Sequence, residues 1–131
     1  MRFEAHDGTE YTQVGTCATV GCHSDNDEYG GKTDFDGWID RDVNGDGVTE
    51  GIQTEFDKLH DSLGVLLAPV IDQSSGLFKA KTITRLQAGA AYNYAIYSED
   101  RSHGVHNAEY FEALLKSSIA YLNANPIVLI D

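Results

Sequence analysis

The sequence predicts a mostly α domain, about three helices preceded by a loop-rich N-terminal arm. Three observations carry that expectation. Apolar residues recur at helical spacing in three separate stretches beyond residue 50. Residues 1–37 show no lasting period of either strand or helix. A chain of 131 residues with 41% hydrophobic content builds one modest core, so a single domain over 1–131 is expected. Within it the arm occupies 1–37, an acidic EF-hand-like loop 38–53, and the helices 51–123.

Charge narrows the partners. The formal net charge of −12, from 21 acidic against 9 basic side chains, argues against nucleic acid and anionic membrane, both of which reward clustered Lys and Arg. It suits metal ions, basic partners or simple solubility. No run approaches the roughly 18 apolar residues of a membrane-spanning helix. The opening Met1-Arg2-Phe3-Glu4-Ala5-His6 lacks the apolar stretch of a signal peptide.

The arm holds both cysteines, in Gly15-Thr16-Cys17-Ala18-Thr19-Val20-Gly21-Cys22-His23. Cys-x-x-Cys-His is the attachment signature of c-type haem, and here the spacer is four residues long. Two thiols can add to the two haem vinyl groups while the adjacent imidazole becomes an axial iron ligand. Ala18, Thr19 and Gly21 are small enough to let the longer spacer bulge. A Cys17–Cys22 disulfide is the competing reading, and zinc a weaker one for want of a second cysteine pair. An arm with so little apolar periodicity also needs something to pack on, which a haem's flat faces would supply. His6 is expected to be exposed; the other reading makes it an axial ligand to a haem on a neighbouring chain or domain.

Asp42, Asn44 and Asp46 alternate and Gly47 follows, the opening of an EF-hand loop. Val48 would offer its carbonyl at the seventh position and Glu50 its carboxylate at the ninth. The match weakens at Thr49 and at Gln53, which stands where a bidentate Glu belongs. The two readings are a Ca2+ site of modest affinity and an acidic turn that caps the next helix.

Ile52, Phe56, Leu59, Leu63 and Leu66 form one stripe, predicting a helix over about 51–68 that Pro69 helps to stop. His60 lies beside the stripe as a flanking structural residue. Gln73-Ser74-Ser75-Gly76 reads as a turn. A second helix is expected over about 79–98, with Ile83, Leu86, Ala90, Tyr94 and Tyr97 on one face and a small-residue waist at Ala88-Gly89-Ala90-Ala91. His103 and His106 then stand at the mouth of a third helix, about 107–123, with Asn107 as N-cap and Tyr110, Leu114, Leu115, Ile119 and Leu122 as its stripe. The pair could bind zinc, be solvated, or supply an axial ligand to haem iron. The tail Asn125-Pro126-Ile127-Val128-Leu129-Ile130-Asp131 is short and apolar, a closing strand or extended segment packed on the core, or a contact surface toward a partner.

Taken together these motifs resemble the C-terminal part of bacterial multihaem c-type cytochromes, relatives of the pentahaem and octahaem nitrite-reductase-like proteins. The resemblance runs from Cys17 to Leu122 through the cysteine motif, Asn44 to Glu55, Asn93-Tyr94, and Glu99 to Asn107. Its most specific part is Ser-x-Gly-Val-His-Asn, which implies that His106 is a distal haem ligand. Family members continue with Pro and then Tyr; here Ala108 replaces the Pro and Tyr110 is kept. They also carry several attachment sites where this chain has one, and no lysine adjoins the Cys pair, so nitrite reduction is not implied. The expectation is therefore a domain packed around one covalent haem c, held by Cys17 and Cys22 and ligated by His23 and His106. His103 is the first reserve and His60 the second. Bis-His iron has no open position, which implies electron transfer rather than catalysis. Export to the periplasm or beyond follows from the site of haem attachment, and redox proteins, further haem domains or copies of the chain are the expected partners. The alternative is an exported calcium-binding structural module with a Cys17–Cys22 disulfide.

Overall fold

The computed structural model describes residues 40–72, 74–79 and 81–128, together with the backbone of 2–4 and 10–12. Strands β1 (Arg2–Glu4) and β2 (Glu10–Thr12) pair antiparallel with Phe3 opposite Tyr11. This corrects the expectation of a wholly irregular arm: three-residue strands are too short to register as a period. Cys17, Cys22 and His23, like His6, lie outside the described residues.

The acidic loop is closed at its base by β3 (Asp40–Arg41) and β4 (Glu50–Gly51), which pair antiparallel. Helix α1 (Ile52–Leu67) follows at once. Its stripe behaves as the spacing requires, with Ile52, Phe56, Leu59 and Leu63 buried and Leu66 packed at the margin. The helix ends two residues before Pro69, whose ring bars a further turn. The Ser74–Gly76 turn joins β5 (Ile71–Asp72) to β6 (Leu77–Phe78), and Asp72 Oδ1 accepts from the amide and hydroxyl of Ser74.

Helix α2 (Arg85–Asp100) begins six residues later than expected, because Thr84 caps it. The Thr84 hydroxyl oxygen accepts from the Gln87 amide, and Gln87 Oε1 accepts from the Thr84 amide, a reciprocal capping box. Gln87 Nε2 meanwhile donates to the carbonyls of Asn125 and Pro126, tying the chain end to the start of α2. A 3-10 turn (Val105–Asn107) leads into α3 (Ala108–Ala124), where Asn107 accepts from the Tyr110 amide as the predicted cap.

α3 packs on both α1 and α2 more extensively than those two pack on each other. The core joins Phe56, Leu63 and Leu67 to Ala90, Ala91 and Tyr97 and to Phe111, Leu115 and Leu122, with Val43, Val70 and Ile71 at its ends. Burying each large side chain contributes about 1.5–3 kcal/mol. The waist of α2 serves helix packing: Ala90 and Ala91 are buried, and beside them Asn93 Nδ2 donates to the nearly buried Ser118 hydroxyl, 2.9 Å away. Two assignments of facing shift. Leu86 and Tyr110, expected in the stripes, are exposed, while Phe111 is buried in place of its neighbour. Ile127 packs against the core and Val128 is exposed, with neither in a strand. Among the described residues no helix is long and apolar enough to cross a membrane.

Candidate functional site

The histidines sit on a loop built between α2 and α3 that departs from ordinary backbone three times in four residues. Arg101, His103 and Gly104 have φ of 54°, 52° and 85°. Left-handed backbone at non-glycine residues is held only where surroundings over-determine it. Here they do. Ser102 is 2% exposed. Its amide and hydroxyl both donate to Asp100 Oδ2, its hydroxyl oxygen accepts from the His106 amide, and its carbonyl accepts from Gln53 Nε2 at 3.0 Å. Gly104 lies against the Phe56 ring, where an added Cβ would stand 2.5–2.9 Å from ring carbons.

This frame orients both imidazoles in the same way. His106 Nδ1 lies 3.1 Å from Asp100 Oδ1, and His103 Nδ1 lies 2.7 and 2.9 Å from the two oxygens of Asp57. An ionised carboxylate can only accept, so in the neutral ring the proton sits on Nδ1 and Nε2 carries the lone pair. Neither Nε2 has a hydrogen-bond partner among the described residues. A carboxylate on the far nitrogen is the arrangement that fixes tautomer and raises basicity in metal-ligating histidines. Exposure separates the two: the His106 side chain is 49% accessible and that of His103 24%.

The carboxylates are themselves held. Burial works to raise Asp100, but the hydrogen bonds from Ser102 and His106 and the His106 charge outweigh it and bring the group below its ordinary value. Asp57 also accepts from the Tyr97 hydroxyl at 2.8 Å. Burial, with that bond second, pushes the Tyr97 phenol well up, so it stays a donor. His60 differs from the other two. Its Nε2 is engaged by the Tyr94 carbonyl at 3.2 Å and the Ser98 hydroxyl at 3.0 Å, and its ring stacks on Tyr94 and Tyr97. Burial, only partly offset by the Tyr94 bond, lowers its pKa. It belongs to the packing between α1 and α2.

The second polar centre is the loop Asp42–Glu50. Asp42 accepts from the amides of Gly45 and Gly47, Asn44 Oδ1 from that of Asp46, and Asp46 Oδ1 from that of Val48. The Val48 bond leads in holding Asp46 below its ordinary value. Lys58 Nζ, from the next turn of α1, pairs with Glu50 and stands 3.6 Å from Asp46 Oδ2. Its ammonium is raised above its ordinary value chiefly by the Glu50 bond. Gln53 has turned away to Ser102, so the twelfth position gives the loop nothing. Nor do the acidic side chains cap α1, whose N-cap, Gly51, has no side-chain bond. Glu55 reaches the loop instead: fully buried, it accepts the amides of Val43 and Asn44 on Oε2 at 2.9 Å each. Its Oε1 is buried and has no hydrogen-bond partner among the described residues. Among the described residues no three His, Cys, Asp or Glu side chains gather into a closed metal cage.

Sequence reasoning placed the histidines but missed the carboxylates that aim them, Asp57 and Asp100, and missed Glu55 and Lys58. Asp57 and His103 are 46 residues apart in the chain, and no local pattern links them. Glu55, two residues beyond an EF-hand's usual closing position, was the nearest thing to a signal. No family model matches the chain, and neither a curated protein nor a solved structure matches it.

Proposed function

We propose that the chain is an electron-transfer domain that carries one covalent haem c, bis-His ligated, as in the multihaem cytochromes it resembles. The observation that supports this is His106, with Nδ1 on Asp100, Nε2 without a partner among the described residues, and its ring half exposed on a loop locked into the core. These features fit an axial ligand. Cys17 and Cys22 would hold the macrocycle covalently, and His23 and His106 would ligate its iron. Bound there, the group supplies a one-electron Fe(III)/Fe(II) couple of low potential, since two imidazoles favour Fe(III) relative to a His/Met pair.

The chain's own residues do the rest. Asp100 keeps the proton on Nδ1 and the lone pair on Nε2, and Ser102 keeps Asp100 in place. The packing of Gly104 on Phe56 fixes the distance of the loop from α1. The acidic surface steers encounter with basic redox proteins or further haem domains. Location is exported, periplasmic or extracellular.

The test is the absorption spectrum and intact mass of the matured protein. Sharp α and β bands on reduction and the added mass of one haem are expected. His106→Ala should convert a low-spin spectrum to a high-spin one, and an unchanged spectrum would move the assignment to His103. A colourless chain two hydrogens lighter, with Cys17 bonded to Cys22, would leave the calcium-binding structural module in its place.

A further inference from the structure

We infer that the Asp42–Glu50 loop is a Ca2+ site closed from below by Glu55, in the role that Gln53 cannot fill, and that Lys58 is its built-in competitor. The inference stands apart from the haem reading and uses none of its residues. The first observation is the donor set: carboxylates at Asp42, Asp46 and Glu50, the Asn44 amide and the Val48 carbonyl, all hard oxygens in a glycine-hinged loop. Six to eight such oxygens in a compliant frame select Ca2+ over Mg2+, which demands rigid octahedral geometry.

An acidic loop alone would not carry the conclusion. Glu55 does. Its carboxylate is 0% exposed, and Oε2 is fastened to the amides of Val43 and Asn44, the second and third residues of the loop. Oε1, on the same carbon, is buried away from water and accepts no hydrogen bond among the described residues. A buried, ionisable oxygen without a partner is costly, because it has lost its water and gained nothing. A cation in the loop would remove that cost.

The second independent sign is Lys58. Its ammonium already spans Glu50 and Asp46, two of the would-be ligands, so a tethered positive charge stands where a free one is expected. Ca2+ has to displace it, which places the affinity at the weak end known for extracellular modules, about 10⁻⁴–10⁻³ M.

The experiment is calorimetric titration of the chelator-treated full chain with CaCl2, read beside the unfolding temperature. One saturable site and a rise in unfolding temperature are expected; no heat and no rise would overturn the site. Glu55→Gln should weaken binding about ten- to hundredfold, and wild-type affinity in that variant would overturn the role of Glu55. Lys58→Met should tighten binding severalfold, and unchanged or weaker binding would overturn the competition. Should Glu55→Gln fail to fold by circular dichroism, the exposed Asp46→Asn serves instead: an unaltered spectrum with binding lost supports the site, and binding retained refutes it.

Discussion

Two polar loops stand out among the described residues, and both turn through left-handed backbone, but by opposite means. The acidic loop uses Gly45 and Gly47, where an added Cβ would meet nothing within 4 Å, and its hydrogen bonds run two to five residues along the chain. The histidine loop uses Arg101, His103 and a Gly104 pressed on Phe56, and its side chains reach back to α1. The first is assembled locally and then docked through Glu55. The second exists only because α1 and α2 are already packed. A locally closed loop tolerates change, whereas a loop set by the core transmits it.

The strongest way to break this contrast is Gly104→Ala. The methyl would enter the Phe56 ring and the backbone would be strained as well, so a loss of about 3 kcal/mol is expected from urea denaturation. Next comes Asp57→Asn, which weakens the acceptor shared by His103 and Tyr97; about 2 kcal/mol should be lost, with the Tyr97 ring signals displaced in NMR. Gly45→Ala should cost only about 1 kcal/mol, the backbone term alone. If it cost as much as Gly104→Ala, the two loops would not differ as described.

Acidification sharpens the contrast with the smallest effect. The folded-state pKa of His60 lies below its ordinary 6.5, so the unfolded chain takes up the proton first and stability falls as pH drops below 6.5. Asp46 is lowered from 3.8, so it keeps its charge, and its bond to Val48, until below that pH. On titration the Tyr94 and Tyr97 signals should move first and the Val48 amide last. His60→Gln should remove the earlier step and leave the later one.

The same contrast decides what could be read from the sequence. The α1 stripe and the Asn107 cap were legible because they depend on spacing within a turn or two. Asp42, Asn44 and Asp46 were legible for the same reason. The start of α2 was misplaced because its signal, Thr84 and Gln87, is polar and the apolar face of that helix is weak. Phe111 and Tyr110 exchanged places because two adjacent aromatics fit the stripe equally well until α2 supplies Tyr97, edge-on to Phe111 at 5.4 Å. The orientation of His103 and His106 was not legible at all. His103 is fixed by Asp57 across 46 residues, and His106 by Asp100 through a left-handed loop that only packing sustains.

The Gln87 side chain has a consequence for motion. Helix ends ordinarily fray independently, each with its own low opening energy. Here one amide group completes the first turn of α2 and also latches the carbonyls of Asn125 and Pro126. The two ends should therefore breathe as one unit, with amide hydrogens in the opening turn of α2 and the closing turn of α3 exchanging at matched rates.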